Sequence, residues 1–198
     1  LFNDIEERKG TYLENEIIRY YPDKRSPIPE YVDFYRLLLL YKYGGCWGDI
    51  DIVFLKPFDS LFVNFKDEIC QYSWEDQRYP NNAIIISLKP NDERMRQNIN
   101  FIKRRNKGWG FQKAKLTYDL DLNICVLHHK YFDAAWDYKN DPKGLMFDSF
   151  FKNTNDVISF NNFYSESFCY HWHNRFNVKI EPKSPCRQLM TELEHLMS

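Results

Sequence analysis

The sequence predicts an α/β fold, and two observations carry that expectation. Strand-length segments recur at residues 52–55, 69–74 and 83–87, the first and last of them apolar runs, each bounded by charged, polar or proline residues. Before and after them lie stretches of helical character, at 30–43 and 92–107. At 198 residues the chain is long enough for a substantial hydrophobic core and is expected to form one domain, residues 1–198, ending in a helix over 186–198.

Taken in order, residues 6–14 read as loosely helical and 16–20 as a short strand. Residues 22–29 form a breaker-rich connection holding Pro22, Pro27 and Pro29, the last suited to a helix start. The helix over 30–43 is apolar nearly all round at Leu37-Leu38-Leu39-Leu40, which implies burial on several sides, and Gly44 is its stop signal. Asp33 and Arg36 share one face of it, three residues apart. Charged groups on a mostly buried helix are paired or bound to something, so an ion pair and a ligand contact both stand open.

Residues 41–57 then carry Gly44-Gly45-Cys46-Trp47-Gly48-Asp49-Ile50-Asp51 into the apolar run 52–55, closed by Lys56-Pro57. An extended backbone here sends Asp49 and Asp51 to one side and Ile50 into the body, at the head of a buried central strand. Two carboxylates side by side repel unless a cation sits between them, and a hard divalent metal is the simplest such cation. Ligands of open α/β sheets bind at such strand ends.

Residues 59–65 read as a turn of helix. Residues 69–74 and 83–87 follow as strands, the second preceded by Asn81-Asn82, and 92–107 as an amphipathic surface helix with Met95, Ile99 and Ile102 on one face. Residues 109–120 open as a loop and continue as a helix, 124–127 is a strand, and 130–149 is an irregular, aromatic, Asp-rich stretch. Residues 167–173 alternate as a strand, with His171 and His173 on one face. Leu189, Leu193 and Leu196 line the closing helix.

Composition narrows the function classes. A formal net charge of −1 gives no electrostatic footprint for nucleic acid, and no apolar run reaches transmembrane length. Five widely spaced cysteines without a Cys-x-x-Cys favour reduced thiols over a zinc site. With no signal-peptide pattern the reading leans to the cytoplasm. A chain opening on Leu1 is equally compatible with a longer native protein, including one whose N-terminal anchor was removed and whose catalytic part faces the Golgi lumen.

The 27-residue stretch 31–57, with Asp33, Arg36, Lys42-Tyr43-Gly44-Gly45, Trp47, Asp49-Ile50-Asp51 and Leu55-Lys56-Pro57, resembles the signature of the DXD-motif sugar-nucleotide glycosyltransferases. That clan includes initiating mannosyltransferases, α-1,4-galactosyl- and N-acetylglucosaminyltransferases, capsular polysaccharide enzymes and the clostridial glucosylating toxins. Asn82 before an apolar strand, Leu116-Thr117 and His171-Trp172 are weaker echoes.

The resemblance implies a GT-A type mixed sheet with a Rossmann-like nucleotide-binding half. It implies a donor that is a nucleoside diphosphate sugar, UDP- or GDP-linked, with Mn²⁺ or Mg²⁺ as cofactor, a glycan or glycoprotein acceptor, and retention at the anomeric carbon. By the same resemblance Asp33 hydrogen-bonds sugar hydroxyls, and Arg36 holds Asp33 or touches the diphosphate. Asp51 is the direct metal ligand, and Asp49 lies near the ribose or a metal-bound water. Trp47 stands beside the nucleotide, Asn82 on the donor side, and His171 meets the metal or diphosphate with His173 beside it. Val32 and Gly48 depart from the family pattern, as do Gly110-Phe111 where the family has Gly-Pro, and Arg175 and Phe176 after the His-Trp pair.

Two other functions use the same residues. A metal-dependent phosphohydrolase or nuclease predicts a second metal and a basic groove; a non-catalytic sugar-nucleotide or glycan-binding module predicts donor binding without turnover. His128 and His129 read as ordinary surface or core histidines, Asp119 and Asp121 as a solvated loop, and most of Trp74, Trp109 and Trp136 as core.

Overall fold

The structure is a computed structural model that describes residues 28–75, 80–105, 123–137, 146–173 and 177–197. The elements expected over 6–14, 16–20 and 109–120 lie outside these residues, as do Asp119, Asp121, Arg175 and Phe176.

The architecture is mixed α/β. Helix α1 (Ile28–Tyr43) leads into β1 (Gly45–Gly48) and β2 (Ile52–Phe54), followed by the short helix α2 (Asp59–Asn64). Strands β3 (Ile69–Ser73) and β4 (Asn81–Ser87) precede helix α3 (Glu93–Arg105), and β5 (Cys125–His128) follows. Two 3₁₀ turns (His129–Tyr131 and Ala134–Asp137), helices α4 (Met146–Phe151) and α5 (Phe160–Phe163), strand β6 (Cys169–His171) and helix α6 (Pro185–Met197) complete the described chain. Strands β1, β4, β3 and β5 form one four-stranded sheet in that order, and β2 pairs with β6 in a separate ribbon.

The chain divides into two compact units: Leu1–Trp47, Leu61–Gln71 and Tyr79–Val126 in the first, Gly48–Ser60, Tyr72–Arg78 and Leu127–Ser198 in the second. The core of the first joins Phe34, Leu37, Leu38 and Leu40 of α1 to Ile69, Ile85, Met95 and Ile99. Each such side chain contributes about 1.5–3 kcal/mol when fully buried. Spacing in α3 puts Met95 and Ile99 on one inward stripe while Glu93 and Arg96 pair outside, 2.6 Å apart. Helix α1 ends where expected: Gly44 has φ +66°, its N–H donates to Leu40 O at 2.8 Å, and a Cβ there would meet the Leu88 carbonyl oxygen at 2.3 Å. Only glycine accepts both the left-handed backbone and that approach.

The second unit is held by an aromatic core in which Phe150, Phe151, Tyr164 and Tyr170 surround Ala135, Cys186 and Leu189. Helix α5 is closed by a capping box between Ser159 and Asn162. No disulfide joins the five cysteines. Among the described residues no helix is long and apolar enough to cross a membrane.

Three local expectations are corrected. Residues 52–55 do not form a buried central strand: β2 is three residues long, pairs among the described residues only within the two-stranded ribbon, and exposes Val53 and Phe54. The segment before it turns, with Ile52 N–H donating to Asp49 O at 3.1 Å, so Ile50 is 98 % exposed rather than inward. The stretch 130–149, read as irregular, contains a 3₁₀ turn and α4 among its described residues. Its aromatic residues lack helical period because both elements are only one or two turns long.

Candidate functional site

The residues singled out by sequence gather in two clusters, one in each unit. In the first, Asp33 and Arg36 are both buried on α1 and pair at 2.9 Å. The three-residue spacing puts them on one face, so the pairing follows from the helix itself. Arg36 also donates to the backbone oxygen of Asn82 on β4, and its guanidinium lies over the Trp47 ring at 5.3 Å. The Asn82 side chain accepts from Gln71 Nε2 at 2.9 Å. A planar guanidinium serves this position better than an ammonium, because it pairs, hydrogen-bonds and stacks at once.

In the second unit the antiparallel register of the β2–β6 ribbon does the assembling. Ile52 stands opposite His171, and Trp172 N–H donates to Asp51 O at 2.8 Å. That register brings the buried Asp51 carboxylate to 3.5 Å from His171 Nε2. A slip of one residue would turn the imidazole to the other face, where Tyr170 enters the aromatic core. Asp49 is half-buried before the turn. The two aspartates therefore reach their positions from a turn, not from one face of a strand.

The other nitrogen of His171, Nδ1, lies 2.8 Å from the hydroxyl of Tyr72. Burial first, then the nearby Asp133, Cys169, Asp49 and Asp51, push the Tyr72 phenol well above its ordinary value, so it keeps its proton. It can donate to a bare Nδ1 or accept from Nδ1–H. The second arrangement leaves the Nε2 lone pair toward Asp51.

His173 lies beyond the end of β6, not within it. It adopts φ +54°, yet its ring stacks on that of His171 with centroids 3.5 Å apart. Its Nε2 is 2.8 Å from Asp133 Oδ2, which also accepts from Trp74 Nε1 at 2.8 Å. Burial lowers the His173 pKa, against the pull of Asp133.

Sequence reasoning missed Asp133 because it fell in the stretch read as irregular. A signal was present, since an aspartate enclosed by Phe132, Ala134, Ala135 and Trp136 must be buried and hence partnered. Trp74 is a core residue and stacks at 4.3 Å on Trp136, which is only half-buried. His128 caps the following 3₁₀ turn and meets Glu75 at 3.0 Å, and His129 is buried.

The donor set in the second unit fits a divalent cation. Metal–ligand bonds of about 2.1 Å put neighbouring ligand atoms about 3 Å apart, close to the Asp51–His171 separation. A carboxylate and an imidazole suit Mn²⁺ or a similar ion, and the far nitrogen of the imidazole is already fixed by Tyr72.

These features define an α/β protein with a candidate cation site at an Asp-x-Asp turn. Residues 3–69, a third of the chain, match the family model described as "Glycosyltransferase sugar-binding region containing DXD motif". Over that segment the chain is similar to the glycosyltransferase sugar-binding region, and Asp49-Ile50-Asp51 within it has the DXD form. No curated protein matches the chain.

Proposed function

We propose that this chain is the catalytic domain of a GT-A type, metal-dependent glycosyltransferase. It moves a hexose-type unit from a UDP- or GDP-linked donor to a hydroxyl of a glycan or glycoprotein, with retention. The observation that carries the reading is the buried Asp51–His171 pair, aligned by strand register and fixed from behind by Tyr72. It lies at the DXD of a segment that matches a glycosyltransferase sugar-binding region.

Asp51 and His171 would hold Mn²⁺ or Mg²⁺, with Asp49 reaching it through water or contacting the ribose. Bound there, the ion supplies Lewis-acid neutralisation of a diphosphate leaving group. The protein's own part is positioning. Tyr72 holds the far nitrogen of His171 in a hydrogen bond, and the aromatic core behind Tyr170 keeps the ribbon from shifting register. In the first unit Arg36 orients Asp33, whose carboxylate is the acceptor for sugar hydroxyls. Trp47 offers a ring to the nucleotide, and Asn82 lies on the donor side.

The test is a panel of nucleotide sugars incubated with the protein and Mn²⁺, scored for released nucleotide and for sugar on added acceptors. Donor-selective, Mn²⁺-dependent release that Asp51→Ala abolishes is the expected result. Binding without release would make the chain a sugar-nucleotide-binding module. Hydrolysis of phosphodiesters or phosphomonoesters with no sugar transfer would make it a phosphohydrolase.

A further inference from the structure

Asp133 is a buried ionisable group that the proposed reaction leaves unused. It sits between the two 3₁₀ turns with no exposed surface, its N–H donating to His129 O at 2.6 Å and its own carbonyl accepting from Trp136 N–H at 3.1 Å. Both hydrogen bonds to its carboxylate fall on Oδ2, from Trp74 and His173. Oδ1 is buried with no hydrogen-bond partner among the described residues. A carboxylate so far from water is costly, and two donors on one oxygen offset only part of that cost. An apolar residue would pack this interior more simply.

A second cost lies at the other end of the same hydrogen bond. His173 occupies the left-handed backbone region, where a residue with a Cβ is strained and asparagine or glycine is at ease. Strain of this kind persists only where the surroundings impose it. Here Asp133 grips the edge of the His173 ring, and the face of that ring lies against His171, tilted by 26°. His171 is thereby bracketed: Tyr72 at Nδ1, His173 on one ring face, Asp51 ahead of Nε2.

Donor atoms of Asp133, His171 and His173 all lie within 4.8 Å of one another, which raises direct chelation by all three. The geometry favours a support role, because Asp133 Oδ2 and His173 Nε2 already face each other at hydrogen-bond distance, and the Trp74 indole occupies the same oxygen. An outer carboxylate that fixes imidazole orientation is a recurrent way to tune a metal-ligating histidine.

We infer that Asp133, acting through His173, is a positioning residue that sets the orientation of His171 toward the cation. The inference rests on the reading of His171 as a ligand given above.

The experiment is calorimetric Mn²⁺ titration of the whole chain and its variants, paired with imidazole ¹⁵N spectra of the metal-free proteins. Wild type is expected to bind Mn²⁺ and Asp51→Ala to lose it. Asp133→Asn keeps the volume and one acceptor oxygen but removes the charge that strengthens the hydrogen bond from His173, and is expected to weaken Mn²⁺ about tenfold while shifting the His171 ring signals. His173→Asn, which suits the left-handed backbone, is expected to do the same and carries the test if Asp133→Asn does not fold. Trp74→Phe removes the other hydrogen bond on Oδ2 and is expected to lower stability while leaving Mn²⁺ affinity within about twofold.

Affinities of Asp133→Asn and His173→Asn within twofold of wild type would overturn the positioning role and leave the ligand reading intact. So would a loss in Trp74→Phe as large as in Asp133→Asn, because the effect would then follow stability alone. Failure of wild type to bind Mn²⁺ would remove the ligand reading, and this inference with it.

Discussion

The two polar clusters solve the problem of buried charge in opposite ways. In the first unit Asp33 meets a permanent cation, Arg36, and the pair is balanced within one helix face. In the second, Asp51 and Asp133 meet imidazoles, a phenol and an indole, groups that are neutral or only conditionally charged. A self-balanced pair can stand without a ligand. A cluster rich in carboxylates and lone pairs gains most from an added cation. The contrast teaches where a metal is wanted, and why Asp33-x-x-Arg36 and Asp49-x-Asp51 have different jobs although both are short acidic motifs.

The largest expected effect tests the balanced side. Arg36→Ala leaves the Asp33 carboxylate buried without its cation and is expected to cost about 3–5 kcal/mol of stability. Urea unfolding of Arg36→Ala against an Asp33→Leu/Arg36→Met double variant checks this. The double variant, which removes both charges and keeps bulk, is expected to recover most of the loss. Equal instability of the two would mean that the stabilisation lies in Arg36's contacts with Trp47 and β4, and the comparison would lose its first term.

On the other side, Asp51→Ala removes charge from a cluster with a surplus of it. Turnover of the preferred donor is expected to fall at least about 100-fold, roughly 2.7 kcal/mol in barrier, with no comparable loss of folding stability. Thermal melts sharpen the point. Mn²⁺ should raise the wild-type midpoint by mass action and leave Asp51→Ala unmoved. A variant that unfolds like Arg36→Ala would make Asp51 a structural residue.

Tyr72→Phe is a finer probe of the same cluster. It keeps the ring, stacked on Phe132 at 5.5 Å, and deletes only the hydroxyl facing His171 Nδ1. Mn²⁺ affinity is expected to drop about tenfold, read by calorimetry, with the melting midpoint of metal-free protein little changed. Unaltered affinity would show that the orientation of His171 is held elsewhere.

How much of this was legible in the sequence differs between the clusters for the same physical reason. Asp33 and Arg36 meet through helix periodicity, which spacing reveals directly. The ends of α1 were equally readable, because Gly44 carries its signal in one residue. Strand β4 announced itself through its apolar run at 83–86, and β3 as a strand-length segment beside it. The second cluster depends on a pairing between residues 52 and 171 and on a turn at Asp49–Ile52, and neither leaves a local pattern. Ile50 was expected inside because alternation assumes an extended backbone, and one hydrogen bond from Ile52 to Asp49 removes that assumption. His173 was expected beside His171 on a strand; it arrives there through a left-handed residue instead. Asp133 was hidden because the elements flanking it are too short to show a period.

The smallest effect extends the balanced-pair idea to the start of α3. Asp92 precedes α3 and caps it, with Oδ1 accepting from Arg94 N–H at 2.8 Å and Oδ2 paired with the Arg94 guanidinium at 2.8 Å. Hydrogen bonding to the Arg94 side chain, ahead of the other contributions, holds the Asp92 carboxyl below its ordinary value of about 3.9. A depressed folded-state pKa contributes stability that is fully present above the unfolded value and disappears as pH falls through the lower, folded one. Asp92→Asn keeps the cap, since asparagine serves there as well as aspartate, and removes only the charge. It is expected to cost less than about 1 kcal/mol at neutral pH, as a partly exposed pair should, and to lose less stability than wild type between pH 5 and pH 2. Chemical denaturation across that range measures the difference. Parallel acid limbs for the two proteins would mean that the pairing with Arg94 adds nothing to the cap.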